Sequence, residues 1–179
     1  TLRDFPKTYF NGKKVFVRVD FNVPINKESN SIREDYRIRR ALPTIDFLIE
    51  SGAKIILGSH LGRPKGTIIQ DLSLEIVSNR LSELINKEVL FCRDFMKDNL
   101  SEKVDDMPNG SVIMLENLRF HKEETANDKI FSSNLASLAE IYINEAFGTS
   151  HRAHSSTYGM AQGFKTKIAG FLVSKEIKF

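Results

Sequence analysis

The chain has 179 residues, 41 % hydrophobic and 27 % charged, which suits one globular domain with a real core and excludes a disordered chain. A net charge of +3 is too mild to argue for nucleic acid, and no apolar run is long enough to span a bilayer. The one cysteine, Cys92, excludes an internal disulfide; with no secretory h-region in view, the expectation is a cytoplasmic protein with no membrane partner.

KKVFVRVDF (13–21) predicts the first strand. DYRIRRALPTIDFLIESG (35–52) carries Ile38, Ala41, Leu42, Ile45, Leu48 and Ile49 at helical spacing, with Gly52 as its stop. Pro43 falls inside that helix and predicts a kink or a later start. AKIILGS (53–59) is a strand, LSLEIVSNRLSELIN (72–86) an amphipathic helix and KEVLFC (87–92) a strand. A weaker helix over 96–105 precedes a strand at GSVIMLEN (110–117). NDKIFSSNLASLAE (127–140) reads as a helix capped by Asn127, and IYIN (141–144) as a strand. Residues 157–179, with Gly159, Gly163 and Gly170, form either a final strand and helix or the start of a connection to another domain.

Strands alternating with helices, each strand a continuous apolar run, predict an α/β fold: a doubly wound, Rossmann-like, three-layer parallel sheet. Ligands bind such sheets beyond the carboxyl ends of the strands, so the residues after each strand matter most. These are Asp20 and Asn22; His60, Arg63 and Lys65; Arg119, His121 and Lys122; and His151, Arg152 and His154. Arg37, Arg39 and Arg40 open the first helix at the same end. Singly, each stretch reads as well as a Gly/Pro turn, a surface arginine or a solvated helix face. Together, arginines recurring after several strands suit a phosphate or carboxylate, to which each guanidinium presents a planar fork. Zinc fits poorly, because the histidines lack CxxC or HExxH spacing, so no metal site is expected. There is no P-loop, no GxGxxG and no GxSxG elbow.

RVDFNVP, ALPTI, GAKIILGSHLGRPKG, LENLRFHKEE and NEAFGTSHRAHSST, in that order and spacing, resemble the amino-terminal half of phosphoglycerate kinase. The resemblance runs from Leu2 to Phe179. It implies a glycolytic transferase moving a phosphoryl group between 1,3-bisphosphoglycerate and ADP to give 3-phosphoglycerate and MgATP. It implies that Asp20 and Asn22 hold the glycerate hydroxyl, and that Arg63, Arg119 and Arg152 grip the 3-phosphate with His60 beside them. Arg37 would face the transferring group as the catalytic charge. The histidines of HRAH would fix their loop rather than touch substrate. Glu145 stands where the family's NDAFG block has Asp, so the longer side chain would shift the loop slightly without removing a contact.

The family's Gly-rich nucleotide-binding blocks are not represented. The expectation is therefore a phosphoglycerate-binding domain over 1–160, and over 161–179 a final strand and the start of an interdomain connection. The nucleotide domain, which would hold Mg-ATP or ADP, is absent, so no cofactor is expected in this chain. A chain with half of the constellation is expected to be monomeric and inactive alone, with the nucleotide domain as its partner. The other reading is a stand-alone module for a sugar phosphate or an RNA backbone.

Overall fold

In the computed structural model, which describes residues 1–177, strands and helices alternate along the chain. The order begins with β1 (Lys14–Val19), a small antiparallel hairpin of β2 (Ile25–Asn26) and β3 (Ser31–Ile32), α1 (Tyr36–Glu50), β4 (Lys54–Gly58) and α2 (Glu75–Ile85). It continues with β5 (Val89–Cys92), α3 (Leu100–Asp106), β6 (Val112–Leu115), α4 (Lys122–Ala126) and α5 (Lys129–Ala136). It ends with β7 (Ile141–Glu145), β8 (Thr166–Ala169) and α6 (Phe171–Ile177).

Six strands form one parallel sheet in the order β5-β6-β4-β1-β7-β8. Both faces are covered, which is why the strands carry few polar residues. On one face Val15, Val17, Ile55 and Ile143 pack with Ile38, Ile45 and Leu48 of α1 and Val77 and Leu81 of α2. On the other, Phe16, Ile56, Ile113 and Tyr142 meet Leu100 and Val104 of α3 and Phe131 and Leu135 of α5. Each such fully buried side chain contributes roughly 1.5–3 kcal/mol. The chain winds from β1 through α1 to β4 on one side, then returns from β6 through α4 and α5 to β7 on the other. The order reverses at β1 and β7, which opens a crevice at their carboxyl ends.

Several sequence expectations need correction. The first helix does not start late: it runs unbroken from Tyr36 to Glu50 with Pro43 inside it. Pro43 gives the helix ladder no N–H, but it and Arg39, whose carbonyl loses that partner, lie on the exposed side, while Ile38, Ala41, Ile45 and Leu48 hold the other side in the core. Gly52 ends the helix as expected, at φ +74°. The helix read over 127–140 begins instead at Lys129, after the short α4. Asn127 does not cap it; Asn127 takes φ 52° and closes α4, a left-handed position that Asn tolerates. Asp128 is the cap, its carboxylate accepting from Phe131 N–H at 2.8 Å. The weak helix over 96–105 forms later, at Leu100–Asp106. The last stretch folds as β8 and α6, and residues 178–179 of that reading lie outside the described residues.

Candidate functional site

The loops after β1, β4 and β6 are tied to one another by their own polar side chains, and the loop after β7 is braced internally. Asp20 accepts from Asn22 N–H at 3.2 Å, and Asn22 Oδ1 accepts from Gly62 N–H at 2.9 Å. Gly62 sits at φ +63°, where a Cβ would come within 2.8 Å of Leu72 Cδ2, so the turn requires glycine. Asn117 Nδ2 donates to Leu61 O at 2.7 Å and Leu72 O at 2.9 Å, while its Oδ1 accepts from Arg119 N–H at 3.1 Å. This side chain joins the β4 and β6 loops and sets where Arg119 begins. After β7, Asn144 Oδ1 accepts from Ala146 N–H at 2.9 Å, and Thr157 Oγ1 donates to Arg152 O at 2.7 Å.

These ties enclose a cavity of about 290 Å³ lined by Asp20, Asn22, Arg37, His60, Gly62, Arg63, Arg119, Gly148, Thr149 and Arg152. All seven residues singled out from the sequence as substrate contacts line it. Arg39 and Arg40, read as companions of Arg37, do not: Arg39 pairs with Asp35 and Arg40 with Glu176. Arg37 Nη1 donates to both Asp20 oxygens, at 3.0 and 2.9 Å, so one lip of the cavity is internally neutralised. The opposite wall is not. Burial, and then the guanidiniums of Arg18, Arg152 and Arg63, hold Arg119 below its usual pKa range. Its Nη1 reaches Gly62 O at 3.4 Å, and its buried Nε has no hydrogen-bond partner among the described residues. A wall of cations with an unmet donor suits an anion.

Sequence reasoning missed what lies beneath this wall. Arg18 sits on β1, fully buried, on the face that carries Phe16. Its Nε donates to Ser156 Oγ at 2.7 Å, its Nη1 to Val19 O, and its Nη2 to His60 Nδ1 at 3.1 Å. Ser156 passes its hydroxyl and backbone N–H to Glu124, whose carboxyl is raised above its usual pKa by burial. His60 is pushed down to about 2 by burial first and then by Arg18, Arg119 and Arg152. It is therefore neutral, and because Nδ1 accepts, its proton lies on Nε2. The one signal available in the sequence was a lone arginine inside the apolar run VFVRV.

Glu145 turns away from the cavity. Its carboxylate accepts from Thr44 Oγ1 at 2.7 Å and from Leu172 N–H at 2.6 Å, tying β7 to α1 and α6. The expectation that its extra length would push on the site loop meets a different outcome: the space comes from Gly170, where a Cβ would lie 1.4 Å from Glu145 Oε2. His151 is exposed and does not line the cavity. His154 holds its turn through its carbonyl, which accepts from Tyr158 N–H at 2.8 Å. Among the described residues, no group of three or more His, Cys, Asp or Glu gathers as metal ligands.

A family model described as phosphoglycerate kinase matches residues 4–179. The phosphoglycerate kinase of Microcystis aeruginosa is 48 % identical over 179 residues, which are all of this chain and 44 % of that protein. That of a Picosynechococcus species is 52 % identical over 169 residues, covering 94 % of this chain and 42 % of the relative. Among solved structures, phosphoglycerate kinase from Coxiella burnetii superposes with a TM-score of 0.85 at 38 % identity, over 94 % of this chain and 41 % of that one. The enzyme from Pyrococcus horikoshii gives 0.86 at 36 % identity, over 99 % of this chain and 44 % of that one. The chain thus spans less than half the length of these relatives.

Proposed function

The chain belongs to the phosphoglycerate kinase family, and from that premise we propose that its cavity is the phosphoglycerate site of a kinase acting between 1,3-bisphosphoglycerate and ADP. The family match favours this reading over an unrelated module for a sugar phosphate or RNA backbone. One observation carries the proposal: Arg63, Arg119 and Arg152, from three separate loops, line one cavity in which Asp20 is the only carboxylate. Their forks take the 3-phosphate, with Nε2–H of His60 as a further donor. Asp20 and Asn22 take the glycerate hydroxyl. Arg37, released from Asp20, takes the carboxyl end, where the phosphoryl group moves.

Phosphoryl transfer asks little covalent chemistry of a protein, so fixed positive charge and alignment supply the rate. The three phosphate arginines act in ground and transition states alike. Arg37 acts mainly as charge develops. We assign the magnesium nucleotide to a partner domain outside this chain, reached through β8 and α6 as the start of the interdomain connection. The protein is read as a cytoplasmic, glycolytic monomer with no nucleic-acid partner. Arg37→Ala in the full-length enzyme should raise the barrier by about 3 kcal/mol in kcat, with KM for 3-phosphoglycerate little changed. Steady-state kinetics decide: a raised KM at normal kcat would confine Arg37 to binding.

A further inference from the structure

A second cavity, of about 390 Å³, lies against the back of the same arginine wall. It shares Arg63, Arg119 and Arg152 with the first cavity and adds Lys65, Lys122 and His154. No carboxylate lines it. Among the described residues, Arg63, Lys65, Lys122 and Arg152 form no salt bridge. The lysines are held side by side by the backbone. Gly66 N–H donates to Arg119 O at 3.1 Å, and a Cβ on Gly66 would come within 2.7 Å of Lys122 Cβ. Lys65 itself takes the left-handed φ of 56°, is exposed, and lines the cavity.

The donor count exceeds what one phosphate can use. Each guanidinium carries five N–H donors in a planar fork, so the shared arginines can serve an anion on either side. A phosphate dianion in the first cavity offsets two of the three shared charges and leaves Lys65 and Lys122 unmatched. We propose that the second cavity is a subsite for a further phosphate group, so that the protein takes linear polyphosphates whose neighbouring phosphates straddle the arginine wall. The proposal builds on reading the first cavity as a phosphate site.

The test is calorimetric titration of the protein, at low salt, with tripolyphosphate, inorganic phosphate and 3-phosphoglycerate. Tripolyphosphate should bind at one per chain and at least tenfold more tightly than inorganic phosphate. Changing both lysines, Lys65→Ala with Lys122→Ala, should weaken tripolyphosphate tenfold or more and 3-phosphoglycerate less than twofold. Tripolyphosphate affinity that ignores the lysine changes would overturn the subsite, as would an equal loss for both ligands. Tighter binding of single-stranded RNA with the same lysine dependence would also overturn it, since the surface would then be a nucleic-acid site. A protein that ignores 3-phosphoglycerate yet loses tripolyphosphate through the lysines would overturn the substrate reading and uphold the subsite.

Discussion

The two edges of the sheet treat charge in opposite ways. At the amino edge the strands start from tight turns: Gly12 N–H donates to Gly52 O at 2.9 Å and Gly110 N–H to Ala53 O at 2.7 Å. Lysines there find partners close by: Lys14 pairs with Asp105 at 2.9 Å, Lys7 pairs with Glu50, and the Lys13 ammonium lies over the Tyr9 ring. At the carboxyl edge Arg63, Lys65, Arg119, Lys122 and Arg152 crowd together, and the single carboxylate among them, Asp20, is held by Arg37. Matched surface pairs contribute little to stability and ask for no ligand. Unmatched cations raise the energy of the free protein locally, and a bound anion relieves it.

The strongest way to break this contrast is to remove the support under the carboxyl edge. Arg18→Met should destabilise the fold by about 3 kcal/mol or more, because Glu124, Ser156 and His60 stay buried without their cation. Urea unfolding measures it, and a loss below about 1 kcal/mol would show that the buried network is not a support. Next comes the ligand itself. With 3-phosphoglycerate at 100 times Kd, the chain should gain about 2.7 kcal/mol, seen as a raised melting temperature that shrinks with salt. Arg119→Ala should abolish most of the gain, while Lys87→Ala, outside both cavities, should keep it. An unchanged melt for the parent at millimolar ligand in low salt would mean that the arginines do not act together.

A smaller effect follows from His60. Its folded pKa of about 2 lies below the ordinary 6.5, so between those values the unfolded chain binds a proton that the folded chain refuses. Stability therefore falls as pH drops from 6.5, by up to about 1.4 kcal/mol per pH unit for one group. His154 and His121, also lowered chiefly by burial, act in the same direction; Glu124 and Glu145, raised by burial, act in the other. Comparing unfolding at pH 5, 6 and 7 with His60→Gln isolates the histidine, and parallel curves would rule out its part. The smallest change belongs to the amino edge. Lys14→Ala should cost below about 1 kcal/mol and leave anion binding untouched. A larger loss, or weakened 3-phosphoglycerate binding, would erase the contrast.

Much of this molecule could be read along the chain. Apolar runs alternating with helical periodicity require a parallel sheet covered on both faces, because no other arrangement buries them. Such a sheet opens its carboxyl edge to ligands, which put Asp20, Asn22, Arg37, His60, Arg63, Arg119 and Arg152 on a longer list of polar residues after strands and at a helix start; the family resemblance narrowed that list to these seven. Those signals are local, carried by spacing and by Gly and Pro at turns. The sequence showed less of Arg18 and nothing of its link to Ser156 and Glu124, since Ser156 lies 138 positions from Arg18 and Glu124 32 positions from Ser156. Position along the chain did not by itself separate Arg37 from Arg39 and Arg40, which pair elsewhere, nor show that Glu145 turns toward Thr44 and α6. Charge state and direction depend on what lies across the sheet, and only the closed tertiary structure brings those groups within hydrogen-bonding distance.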